Sequence, residues 1–268
     1  MQVAQSPQWK RIIGRVAFLN CDPLFYGLGD EWQVLPAPPS WLTGHLLRRD
    51  CVLAPIPAAD YARHADELVL VPEIGICSKG EVGSVLVFGD MPLSTMKSIA
   101  LPTDSMTSVA LLKYILKQEK LEPHTHLMGP DLTTMLSECD GALLIGDRAL
   151  EEAKKQPERV QLDLGQAWLN RTQKPMVFGV FAARKDTPIE DVQAAQEALL
   201  HRLSHFETDP VTRKAVIEWS MSKSDLKYER LNRYFGEVFN RLDPEHIQGL
   251  EQFLVDACNL AEGSSFAW

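Results

Sequence analysis

The chain has 268 residues, 45% of them hydrophobic, and a formal net charge of -9 from 27 basic and 36 acidic side chains. That is ample for a large core, and the length allows one large domain or two smaller ones. Without clustered Lys and Arg a nucleic-acid partner is excluded, and no apolar run is long enough for a transmembrane helix, so no membrane role is expected.

The acidic balance leaves an anionic small molecule open as a ligand, since charges are screened beyond about 8 Å at physiological salt and local donors dominate. Five scattered cysteines (Cys21, Cys51, Cys77, Cys139, Cys258) form no C-x-x-C pair. They point to reduced thiols and a cytoplasmic location, not to a disulfide frame or zinc site.

"GRVAFLNCDPLFYGL", residues 14–28, opens with the apolar run Val16, Ala17, Phe18 and Leu19, which suits an interior strand. Asn20, Cys21, Asp22 and Pro23 follow at once. Such residues commonly end a strand by local hydrogen bonding. In an open α/β sheet the carboxyl edge of the strands is also where ligands bind, so both readings stand. "IIGRVAFLNC" faintly resembles a lipoprotein export signal, but Arg15 interrupts its apolar part, which favours a first strand.

Further short buried strands are expected in "DCVLAPIP" (50–57), "KSIALP" (97–102), "GALLIGD" (141–147) and "MVFGVFAAR" (176–184). Between them "SMTSVALLKYILKQEKL" (105–121) has helical spacing after a hydroxyl-rich start, and "LTTMLSECD" and "RALEEAKKQ" supply shorter helices. Alternating strands and helices imply an α/β fold with parallel sheet built from βαβ units. Residues 189–261 are helical in character and suit helices that pack back on an earlier domain. The tail "EGSSFAW" is expected to be loosely held. "GSVLVFGDMPL" (83–93) and "KPMVFGVFAAR" (174–184) read as crossings between two halves. They predict a discontinuous first lobe of residues 10–91 and 178–268, and an inserted second lobe of residues 92–177. A ligand cleft is expected between the lobes.

Four polar sets could meet in that cleft. The first is Asn20 with Cys21 and Asp22. The second, in "ICSKGEVGSV", offers Ser78, Lys79 and Ser84; Ser84 lacks a G-x-S-x-G context and is no acyl-transfer nucleophile. The third is "LPTDSMTSVALL", where Asp104, Ser105, Thr107 and Ser108 lead from a strand into a helix. First-turn N–H groups lack intrahelical partners and favour an anion. A single cap, Ser105 or Asp104, would satisfy the helix, so the surplus hydroxyls lean towards a site. The fourth is Asp147 in "LLIGDRAL", an N-cap for the following helix or a general base. No Walker loop, G-x-G-x-x-G or H-E-x-x-H is present. The histidines show no metal spacing, and "HTH" (124–126) is expected in a loop.

Five stretches in order, "GRVAFLNCDPLFYGL", "IPAADYARHADELVLVPEIGICSKGEVGSVLVF", "IALPTDSMTSVALLKYIL", "GALLIGDRAL" and "DLGQAWLNRTQKPMVFGVFAAR", resemble the menaquinone-biosynthesis family of the futalosine route. They look more like its chorismate dehydratase branch than its sister naphthoate synthase. The resemblance implies a two-lobed, type II periplasmic-binding-protein-like fold used as a cytoplasmic hydro-lyase. It implies chorismate as substrate, 3-[(1-carboxyvinyl)oxy]benzoate as product, and no cofactor. By motif it places Asn20 and Ser84 nearest the reacting centre, with Asp147 or a substrate carboxylate as the base. Ser78, Ser105, Thr107 and Ser108 would then bind substrate. Cys21 stands where the family often has Thr or Ser, and Pro57-Ala58 stands where a Pro-Ser step is common. The competing expectation from another class is a cytoplasmic small-anion-binding protein without turnover.

Overall fold

The structure, a computed structural model, describes residues 7–261 and 263–268. The chain opens with β1 (Ile12–Val16), α1 (Asp22–Phe25), β2 (Gln33–Ala37), α2 (Pro39–Leu47), β3 (Ala54–Pro57) and α3 (Ala58–Arg63). It continues through β4 (Leu68–Ser78), β5 (Val85–Gly89), β6 (Ser98–Pro102), α4 (Met106–Gln118), β7 (His124–Met128) and α5 (Leu132–Glu138). Then come β8 (Gly141–Ile145), α6 (Gly146–Lys155), β9 (Val160–Asp163), α7 (Leu164–Thr172) and β10 (Met176–Arg184). Helices α8 (Ile189–Thr208), α9 (Pro210–Met221) and α10 (Tyr228–Glu237), strand β11 (Phe239–Leu242) and helix α11 (Pro244–Asp256) complete it.

Two larger sheets result. One has the order β11-β4-β10-β3, with β1 and β2 forming a short parallel pair beside it. The other has the order β7-β6-β8-β5-β9. The all-parallel expectation is corrected. β10 runs antiparallel to both β3 and β4, and β5 runs antiparallel to β8 and β9; β6 is parallel to β7 and β8. β5 and β10 are each reached from the other sheet and not through a βαβ crossover within their own, so nothing holds them parallel to their neighbours.

Sheet membership also shifts the crossings. β5 lies wholly within the second sheet and β10 wholly within the first, so the chain changes sheets within residues 79–84 and 164–175. The expected boundaries, 91/92 and 177/178, fall inside or past those strands. β5 is an apolar run because both its faces are covered: Val85 and Val87 join the main core, while Leu86 and Phe88 join a smaller cluster with Leu132, Met135 and Leu144.

Other expectations change for local reasons. The first strand ends at Val16, and residues 19–21 form a tight helical turn, so most of the apolar run lies beyond the ladder. "HTH" forms part of the edge strand β7, paired in parallel with β6. The tail docks instead of hanging free: the Leu70 N–H donates to the Ser265 carbonyl (2.8 Å), and the Ala267 N–H donates to the Leu70 carbonyl (2.8 Å). The Ser265 N–H also donates to the Tyr61 hydroxyl (2.8 Å). The carboxyl-terminal third does pack back on the first sheet, α8 against β4 and α11 against β10, and it adds the short strand β11.

Candidate active site

A cleft that is partly open to solvent lies between the sheets, a common place for a small-molecule site. Its walls are apolar, with Phe18 from the segment after β1, Ile56 and Pro57 from β3, Ile76 from β4 and Phe178 from β10. Four polar side chains reach it: Asn20, Ser84, Ser105 and Ser108. Among the described residues that line it, none carries an ionisable side chain.

Asn20 sits in the helical turn after β1 and is buried, and its amide oxygen has no hydrogen-bond partner among the described residues. Buried acceptors are rarely left so. The turn is fixed from below by Asp22, which is fully buried. Asp22 accepts from Lys223 Nζ (2.6 and 2.7 Å) and Ser220 Oγ (2.6 Å) and pairs with Arg15. The aspartate expected to close a strand is thus an anchor for the residue before the helix. Cys21 is buried and its thiol pKa is pushed up to about 12 by desolvation, so it stays protonated and chemically quiet.

Ser84 immediately precedes β5. The Gly146 N–H donates to its carbonyl (2.7 Å), continuing the β5–β8 ladder and setting Ser84 beside the start of α6. The loop before it is gathered by Asp163, whose carboxylate accepts from the N–H groups of Val82 (3.0 Å), Gly83 (2.8 Å) and Gln166 (3.0 Å). Burial raises the Asp163 pKa, and the backbone donors oppose that rise. Composition gave no sign of this role for Asp163. Its only trace was its place at the head of "DLGQAW".

At α4 the hydroxyls divide. Ser105 is the N-cap: it accepts from the Ser108 N–H (3.3 Å) and donates to Ser108 Oγ (2.9 Å). Asp104, the other candidate cap, pairs with Arg148. Thr107 does not face the cleft as expected; its Oγ1 accepts from the Ala59 N–H (3.1 Å), joining α4 to α3. Ser78 is likewise outside the lining. It is fully buried, donates to the Gly80 carbonyl (3.3 Å), and is crowded by Gly165, where a Cβ would come within 2.7 Å.

Asp147 is not an N-cap either. It lies in the first turn of α6, and its carboxylate accepts from the Leu19 N–H (3.0 and 3.3 Å), bridging the two sides of the cleft behind its lining. Desolvation raises its pKa to about 7; the Asp22 and Glu151 charges add to that, and the Leu19 N–H and Lys223 oppose it. Gly146 makes the bridge possible. Its φ is +65°, and a Cβ there would sit 2.8 Å from the Phe18 ring. Among the described residues no group of three or more His, Cys, Asp or Glu side chains could hold a metal ion.

Two sheets facing each other across an apolar cleft, linked by two chain crossings, define the periplasmic-binding-protein fold. A protein of Archaeoglobus fulgidus has it with a TM-score of 0.75 at 19% identity, covering 92% of this chain and 96% of that one. The periplasmic aliphatic sulphonate binding protein of Escherichia coli follows with a TM-score of 0.64 at 12% identity, covering 94% of each chain. Within that fold class the chain belongs to the menaquinone biosynthesis family, which it matches over residues 12–258. A relative from Thermus thermophilus, a chorismate dehydratase, is 35% identical over 205 residues, 70% of this chain and 75% of that one.

Proposed function

We propose that this protein is a chorismate dehydratase of the futalosine route, a cytoplasmic hydro-lyase that makes 3-[(1-carboxyvinyl)oxy]benzoate without metal or cofactor. One observation carries the mechanism: among the described residues the cleft offers an unpartnered amide oxygen and three hydroxyls but no ionisable side chain. A base is still needed, and the substrate brings one. In a desolvated cleft the side-chain carboxylate of chorismate becomes a stronger base than in water. It takes the proton from the ring carbon beside the enol ether, and the electron pair left there forms the new ring double bond as the neighbouring C–O bond breaks. The departing hydroxide takes that proton, so one water is lost and the ring becomes aromatic. Ser84 donates a hydrogen bond to the leaving oxygen, Asn20 orients the ring, and Ser105 and Ser108 hold the ring carboxylate at the start of α4. Asp147, the other candidate base, is turned towards Leu19 and serves the bridge.

The test is incubation with chorismate in the absence of metal and nucleotide, followed by mass spectrometry. The expected product is aromatic and lighter by one water, and Asn20→Ala is expected to lower kcat by about 100-fold or more. Chorismate bound but unchanged would favour a small-anion-binding protein, and near-normal turnover in Asn20→Ala would remove Asn20 from the mechanism.

A further inference from the structure

Ser84 is held from behind by a residue of the carboxyl-terminal third. Tyr234 lies on the inner face of α10 beside Leu231 and Phe235, and none of its surface is exposed. Its hydroxyl is 3.1 Å from Ser84 Oγ, the one hydrogen bond it makes among the described residues. A phenol has a single proton to give, and a buried O–H without an acceptor is costly. Tyr234 must therefore donate, and Ser84 must accept.

That direction decides what Ser84 has left. Its own proton points to the Val82 carbonyl across 3.4 Å, the long limit of a hydrogen bond, and is free to turn to a group arriving in the cleft. Desolvation raises the Tyr234 pKa far above its ordinary value, with the Asp147 charge adding to the rise, so the phenol keeps its proton. The ring is steadied without use of its hydroxyl: the Arg230 guanidinium lies 5.7 Å over it and is tied to Glu237 (2.8 Å).

We infer that Tyr234 is a positioning residue that commits Ser84 to act as a hydrogen-bond donor towards the reacting oxygen. The inference rests on the role proposed above for Ser84, and a double-mutant cycle separates the two. Ser84→Ala, Tyr234→Phe and the double variant are compared as full chains in chorismate turnover, with thermal unfolding measured alongside. Tyr234→Phe is expected to lower kcat about tenfold with KM within about twofold of the parent. Added to Ser84→Ala, it is expected to change nothing further, because its route runs through the hydroxyl already removed. An equal loss in both backgrounds would assign Tyr234 to packing and overturn the inference, as would an unchanged kcat. Parental turnover in Ser84→Ala would instead defeat the reading of Ser84, and this inference with it. If Tyr234→Phe does not fold, 3-fluorotyrosine at position 234 keeps the ring and hydroxyl while making a stronger donor. It is expected to move kcat by about twofold and leave the unfolding midpoint in place, and an unmoved kcat would overturn the inference.

Discussion

Asp22 opens α1 just after the turn that follows β1; Asp147 stands in the first turn of α6 just after β8. In sequence the two look alike, each an aspartate at a core strand's carboxyl end. Asp22 is surrounded by Arg15, Lys223 and Ser220, and both cations also lie over the Trp219 ring, at 5.0 Å for Arg15 and 3.3 Å for Lys223. Asp147 has a single backbone donor, Leu19, and its pKa is raised to about 7. The two carboxylates therefore sit in opposite surroundings, one compensated by cations and the other desolvated with a lone backbone donor among the described residues. One support behind the cleft lining is locked by compensated charge. The other is bridged by a group near its titration point.

The contrast is open to breakage. Asp22→Ala strands two cations around a buried hole and is expected to cost about 3–5 kcal/mol, read by denaturant unfolding. Asp147→Asn should act in the opposite direction. The raised pKa means that the native state holds its proton more tightly than the unfolded chain. That contribution to stability is complete below about pH 4 and is lost as pH rises through about 7. The amide keeps an acceptor for the Leu19 N–H and cannot ionise. At pH 8 the variant is expected to be more stable by about 2 kcal/mol, a figure discounted for the partial exposure of the site, and to match the parent near pH 4. Unfolding midpoints across pH check this, and a loss in Asp147→Asn as large as that in Asp22→Ala would end the distinction. The smallest effect falls at the neutral bridge. Thr107→Val removes the acceptor for the Ala59 N–H and is expected to cost about 1 kcal/mol at every pH, which a flat difference in unfolding midpoints would show.

The strand-end stretch 14–28 and the helix start at Ser105 were legible because a polar break directly after an apolar run is a local signal. Asn20, Ser84, Ser105 and Ser108 do meet in the cleft. Thr107, Ser78 and Asp147 carry the same local signal and do not line it. A hydroxyl or carboxylate at a strand end can be spent on substrate or on the backbone of the facing element, and the sequence holds no record of which is nearer. Tyr234 was invisible for a related reason. It falls in an amphipathic pattern where Leu231, Tyr234 and Phe235 form an ordinary buried stripe, and only packing reveals that its hydroxyl ends at a serine 150 residues earlier.

By itself the sequence determined the α/β class, several of the strands and helices though not the long central β4, and the family, because periodicity, caps and ordered motifs are properties of neighbouring residues. The tertiary structure decided the direction of the strands, the place of the crossings, and the sorting of polar groups into those that face the cleft and those that hold it together. Those outcomes depend on contacts between residues far apart in the chain, whose distances are set only when both sheets are packed.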